Sequence, residues 1–416
     1  MSPSTRAVGI AVVLALGLLV VDWRVVVLAA VGLAVATIVD ALAARQPITV
    51  ERRVPGRLAR GVPARLVVTV DGAGARRVEV RQPRVPDVDV EPAHGAGGLD
   101  AEIVARRRGR HELPPVAVRV TGPLGLGRWD RDHAGPHEIE VHPDLPAARR
   151  IATAVRQARF RDPGLRRRGA IGLGTDFDQV REHQPDDDIR HVNWAATVRQ
   201  GRLMTNQYRE DTERDVVALV DCGRLMAAPV PGTAGAAPDR TRLDVAVDAA
   251  AALAAVADVV GDRCGTLAYD DQVRARVVPR RASGDDLVRA LHAVEPRSVD
   301  SDAERAFRAV GTTKRALVVV LTDVLDAAAA RALLDAVPVL ARRHAVVVAS
   351  CTDVEVVEAA AGDDERAVVA GRVLAERDRA VAQIRRRGAR VVEAPPARFS
   401  AAVVAAYLDA KSTARV

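Results

Sequence analysis

The chain has 416 residues and a formal charge of +7, and its cations are almost all arginine, the lysines being Lys314 and Lys411. That length allows two or three domains, each with its own core. Aromatic residues make up only 2% of the chain, too few to stack nucleic-acid bases, so no nucleic-acid partner is expected. The arginine runs at 106–108, 166–168 and 385–387 then read as solvated or membrane-facing. Cys222, Cys264 and Cys351 are odd in number and far apart, which argues against both a disulfide framework and a zinc site.

Two apolar runs, residues 8–21 and 25–39, are divided by Asp22-Trp23-Arg24. A single helix through both would span roughly 48 Å at 1.5 Å per residue and place two charges near the centre of a bilayer. A transmembrane helical hairpin (residues 1–45) with Asp22–Arg24 at the far surface avoids this, each arm being slightly short. Arg6 precedes the first arm, and Arg45, Arg52, Arg53, Arg57 and Arg60 follow the second. The positive-inside rule therefore places both termini and the soluble domains in the cytoplasm, beneath the plasma membrane. The rival is a signal peptide ending near Val21, and no small-x-small cleavage site is present there.

From residue 46 to 144 the pattern turns to short alternating runs, ARLVVTV, RRVEVRQ, AEIVARR, PVAVRV and HEIEVHP. Their spacing predicts an all-β sandwich-like domain. Residues 145–211 form a linking segment. Residues 212–416 then alternate strand and helix, with continuous β-branched runs such as DVVALVD and RALVVVLTD. Such runs predict a doubly wound, mostly parallel sheet covered on both faces, so the fold class is α/β.

The linking segment carries the densest chemistry: Gly174, Asp176, Phe177, Arg181, Glu182, Pro185, Asp187, Asp188, Arg190, Val192, Asn193, Trp194, Arg199, Gly201 and Leu203. Pro185 followed by three Asp reads as a turn. IRHVNWAATVRQ reads as one short helix capped by Asp187 or Asp188, with Ile189, Val192, Ala196 and Val198 on a shared face. The pattern resembles the signature of the bacterial family called domain of unknown function 58, with His183 in place of a usual Tyr and Asp186 in place of a usual Gly. The large rings of Trp194 and Phe177 suggest packing anchors. Asp187, Asp188 and Arg190, with Arg181, Glu182, Asn193 and Trp194, form either a partner-binding cluster or a structural turn.

The region from DVVALVD onward resembles a von Willebrand factor type A-like domain. In such a sheet Asp221 and Asp323, each ending a buried strand, point into the crevice where strand order reverses. The metal site of that fold reads Asp-x-Ser-x-Ser, whereas this chain has Asp221-Cys222-Gly223-Arg224-Leu225. What remains for Mg²⁺ is Asp221, Asp323 and one hydroxyl from Ser298 or Ser301, short of six oxygen ligands. Arg224 pairing with Asp221 or Asp323 is the expected substitute for the cation.

The sequence lacks a P-loop, a His-Glu-x-x-His and a Gly-x-Ser-x-Gly. No catalytic residue, cofactor or small-molecule substrate is expected. The family resemblance implies an interaction protein working beside a MoxR-type AAA+ ATPase in protein assembly or remodelling at the cell envelope. The alternative is a metal-dependent hydrolase using Asp187, Asp188, Asp221 and Asp323.

Overall fold

The computed structural model describes residues 2–17, 19, 22–161, 171–185, 187–209, 214–230, 240–310, 315–325 and 327–412. Asp186, Asp211, the arginine run at 166–168 and most of the Gly-Pro-Ala loop after Ala227 lie outside them, as do the side chains of Asp176 and Phe177. The chain divides into two compact units, Met1–Asp144 and Leu145–Val416.

The first unit opens with helices α1 (Thr5–Gly17) and α2 (Trp23–Ala44). Asp22 caps α2 by accepting the Arg24 N–H. Both helices expose large apolar residues on every side, including Val13, Leu16, Leu28 and Val35. Among the described residues, α2 is the one helix long and apolar enough to cross a membrane, its 22 residues giving about 33 Å. α1 is shorter, at 13 residues. The two expected arms are thus unequal, because α2 runs on past Val39 through Asp40–Ala44.

The strands of this unit form three sheets. The first runs in the order β1 (Ser2–Pro3), β3 (Gly127–His133), β2 (Val116–Thr121), Arg77–Arg81, His94–Ala96. The second pairs Thr49–Arg53, Ala64–Asp71, Gly98–Ala105 and Val88–Glu91 in that order. The third places His137–His142 between Arg57–Ala59 and Gly109–Leu113. Period two decides which side chains enter: in Arg77–Arg81 the two valines are buried while Arg77, Glu79 and Arg81 are exposed. Leu66, Val80, Ile103, Leu113, Val118 and Ile139 meet in one core.

The turn between β2 and β3 is tied to the end of α2. The buried Asp40 carboxylate accepts the N–H groups of Leu124 (2.8 Å), Leu126 (2.7 Å) and Gly127 (2.8 Å). The same turn holds the start of α1: Ser4 donates its N–H to the Leu126 carbonyl (2.7 Å) and its hydroxyl to the Gly125 carbonyl (2.6 Å). Only glycine fits at position 122, where a Cβ would collide with the Asp40 carboxylate, and Gly125 turns the chain at φ 74°.

In the second unit a six-stranded sheet runs β8–β7–β6–β9–β10–β11. These strands are β6 (Asp215–Asp221), β7 (Arg263–Tyr269), β8 (Val273–Arg280), β9 (Ala316–Leu321), β10 (Ala345–Cys351) and β11 (Arg390–Ala394). All neighbours are parallel except the edge strand β8. Strand order reverses between β6 and β9. Helices α3 (Leu145–Arg161), α5 (Arg242–Val260), α6 (Gly284–Leu291) and α11 (Pro396–Ser412) join Val216, Ala218 and Val220 in one core layer. Helices α7 (Ala303–Val310), α8 (Arg331–Ala341) and α10 (Glu365–Arg386) join Val217 and Leu219 in the other. Alternate residues of β6 thus enter opposite layers, which is why its sequence is apolar without a break. A reciprocal capping box between Thr241 and Asp244 starts α5. Ser283 precedes α6, but its hydroxyl turns to the Cys264 carbonyl (2.6 Å) instead of capping.

The Asp40 contacts make a residue-level prediction. In Asp40→Ala three turn amides lose their acceptor at once, so hydrogen exchange should lose protection at Leu124, Leu126 and Gly127 while the strands of the second unit keep theirs.

Candidate functional site

The linking segment folds as two antiparallel strands, β4 (Ile171–Glu182) and β5 (Met204–Arg209), around a 3₁₀ turn (Ile189–His191) and helix α4 (Trp194–Gln200). The single helix expected over IRHVNWAATVRQ is therefore two pieces. Asn193 divides them: its side chain accepts the Ala196 N–H (2.9 Å), making it the N-cap of α4. Asp188 caps the 3₁₀ turn through the Arg190 N–H (2.9 Å). The supposed shared face is broken accordingly, with Val192 buried and Ile189 and Val198 exposed.

Arg181 and Asp187 form a bidentate pair at 2.7 and 2.5 Å, and the Gln184 N–H donates to the same carboxylate (2.8 Å). The Arg181 guanidinium, helped by that N–H, holds the Asp187 carboxyl below the usual carboxylate range. His183 lies 4.0 Å from Asp187 and shares a 2.7 Å hydrogen bond with Thr205. Asn193 donates to Asn206 (2.8 Å), fixing α4 to β5. Arg181, Asp187 and Asn193 are thus consumed in holding the turn. Asp188, Arg190 and Glu182 are exposed, Glu182 meeting Arg202 at 3.3 Å. Trp194 is no packing anchor: it is 64% exposed.

The second constellation lies at the carboxyl ends of β6 and β9, around a groove of about 690 Å³ lined by Asp221, Arg224, Ser301, Thr322, Leu325 and Arg331 among others. Asp187 and Asp188 line no part of it. Asp221 is buried and accepts three bonds: from the Gly223 N–H (2.8 Å), the Ser301 hydroxyl, and the Thr322 hydroxyl (2.5 Å). Burial pushes the Asp221 carboxyl above the usual range against the pull of those three donors. Ser298, the other candidate hydroxyl, is exposed, and it is Ser301 that reaches Asp221.

Asp323 has a different environment. Arg242 of α5 donates to one of its oxygens, and Arg377 of α10 (3.4 Å) and the Ser350 hydroxyl (3.2 Å) donate to the other. Arg242 also reaches Asp353 (2.8 Å), and Arg377 reaches Glu393 (3.0 Å) and the Cys351 carbonyl (3.0 Å). Arg224, expected as the substitute for a cation, instead pairs with the exposed Asp300. Its place in the loop aims it at the rim, whereas α5 and α10 project Arg242 and Arg377 inward. Among the described residues no three His, Cys, Asp or Glu side chains converge as metal ligands. Burial pushes the Cys351 thiol up to about 11, so it offers no nucleophile at neutral pH.

The sequence marks Asp221 and Asp323 as ends of buried strands; Thr322 is legible beside Asp323 once its strand is placed. Arg242 and Arg377 are not, being 81 and 54 residues from Asp323 in a chain rich in arginine.

Residues 179–369, which carry the polar turn, the exposed Trp194 and much of the doubly wound sheet, match a described family, "Protein of unknown function DUF58". Uncharacterized proteins of Mycobacterium bovis and of two Mycobacterium tuberculosis strains are 29% identical over 160 residues, 37% of this chain. The chain spans about half the length of these curated relatives, 48% of each.

Two predictions follow from this geometry. Arg242→Leu leaves the buried Asp323 with one guanidinium and should cost about 3–5 kcal/mol in urea denaturation, while Arg224→Ala, removing an exposed pair, should cost roughly 0–1 kcal/mol. The two carboxylates should also respond oppositely to pH. Asp187 has a lowered value in the folded state, so its contribution is present above the unfolded value and lost as pH falls through the folded one. Asp221 has a raised value, so its contribution is complete below the unfolded value and declines as pH rises through the folded one. Urea midpoints across a pH series should show Asp187→Asn flattening the acid limb and Asp221→Asn flattening the decline above it.

Proposed function

We propose that the chain is a membrane-anchored interaction protein whose second unit grips another protein and performs no bond chemistry. The observation that carries this reading is the state of the strand-end carboxylates. Asp323 is matched by Arg242 and Arg377, and Asp221 by two hydroxyls and a backbone N–H. A divalent cation would have to displace guanidinium groups already supplying the charge, and hard cations need about six oxygen ligands. The sheet order β8–β7–β6–β9–β10–β11, with an antiparallel edge, supports reading the unit as von Willebrand factor type A-like with its metal replaced by arginine.

On this reading the exposed Ile189, Trp194 and Val198 beside the polar turn are the contact surface. Large solvent-exposed aromatics are the residues that anchor protein interfaces. The partner class is a MoxR-type AAA+ ATPase, with the client assembled or remodelled at the cell envelope. The anchor is a two-helix hairpin with both ends on the cytoplasmic side. Its support is that the start of α1 and the end of α2 are fastened to the same turn, at Ser4 and Asp40. Arg6 and Arg45 flank those ends.

Capture from solubilised membranes should recover a hexameric ATPase with the intact chain, and recovery should fall on the order of tenfold with Trp194→Ala, an interface-anchor loss of about 1.4 kcal/mol or more. Calorimetric titration with Mg²⁺ should give no saturable heat. Saturable binding abolished by Asp221→Ala would replace this reading with the metal-dependent hydrolase.

A further inference from the structure

We propose that the β2–β3 turn, Gly122–Gly127, sits in the headgroup layer of the bilayer and places Leu124 in it, so that the first unit grips the lipid surface as well as spanning it. The inference rests on the reading of α2 as a membrane span and adds a depth for the folded unit. From Trp23 to Asp40 the helix advances 17 residues, about 26 Å at 1.5 Å each, against a hydrocarbon core of about 30 Å. Trp23, with the Arg24 guanidinium 5.7 Å above its ring, suits one interface. Asp40 then falls at the other boundary.

Asp40 is buried, so its carboxylate needs donors from the protein in place of water. Its donors are the backbone N–H groups of Leu124, Leu126 and Gly127, so the turn shares the depth of Asp40 to within the length of a hydrogen bond and a peptide. The turn is made only of Gly, Pro and Leu: no side chain in it carries a polar group. Leu124 is 61% exposed and Pro123 is exposed beside it, neither being needed by the core. Cations stand at the same level. Arg6 lies against Gly125, Arg128 donates to Thr5 (3.3 Å), and Arg45 ends α2 with its guanidinium 5.3 Å from the Trp129 ring. An apolar tip ringed by arginine is the pattern that suits acyl chains below and anionic phosphates above.

The test is a depth measurement on the full chain in vesicles of phosphatidylcholine and phosphatidylglycerol. Leu124→Cys carries a fluorophore; Cys222, Cys264 and Cys351 are buried and stay unlabelled. Val31→Cys, in the middle of α2, serves as a reference. Lipids bearing a nitroxide at the headgroup should quench the label at 124 severalfold more than lipids bearing it deep in the acyl chain, and the label at 31 should show the reverse order. A label at 124 that neither lipid quenches, with 31 quenched by the deep one, overturns the inference and leaves the span standing. If position 31 is also unquenched, the span itself is lost and the inference with it. Pro123→Cys repeats the measurement at the adjacent exposed position.

Discussion

The second unit is organised around one buried charge, Asp323. Its carboxylate receives guanidinium groups from α5 and α10, helices that belong to opposite core layers of the sheet. The clamp therefore joins both layers at the edge where strand order reverses. Buried ion pairs of this kind add little net stability, because desolvation offsets the attraction, yet breaking one leaves an uncompensated charge. What the clamp contributes is position. With Arg242 and Arg377 also held by Asp353 and Glu393, the Asp323 carboxylate that lines the groove is fixed in place.

The same side chain behaves differently at four places because its donors differ. Asp40 is met by three backbone N–H groups, Asp187 by a guanidinium at the turn, Asp221 by two hydroxyls and a backbone N–H, and Asp323 by two arginines. A guanidinium within bonding distance stabilises the anion of Asp187, while neutral donors do not overcome burial at Asp221. The two strand-end carboxylates, Asp221 and Asp323, likewise meet different donors, hydroxyls in one case and guanidinium groups in the other.

How much of this could be read from the chain follows the same division between local and distant. The apolar runs DVVALVD and RALVVVLTD, flanked by helical patterns, announce buried parallel strands, and their terminal Asp residues follow from period and length alone. The α5 start is legible in Thr241 and Asp244. Short strands such as Arg57–Ala59 and His94–Ala96 are not, since three residues carry too little periodicity and their pairing is set by neighbours far along the chain. Asn193 carries a local signal of its own, an N-cap residue inside an apparently continuous helix, and that signal ends the shared face of Ile189 and Val198. Trp194 shows the limit of arguing from size: a large ring signals burial on average, and at a short surface helix it is left in water.

On the proposed reading, with arginine standing where a metal would, the groove responds to different signals. A site built on Mg²⁺ is occupied or vacant with the ion supply, and the ion completes its coordination with an oxygen from the partner. The guanidinium groups behind Asp323 are charged at any physiological pH, so on the proposed reading partner binding is not gated by cations. Burial favours the protonated form of Asp221. This residue lines the groove beside Thr322 and Ser301, hydroxyls that can either donate to the carboxylate or turn toward a ligand. Any polar group that a partner inserts there must compete for those two hydroxyls. On the proposed reading, a partner that draws either hydroxyl away leaves Asp221 buried with fewer of the donors that favour its anion.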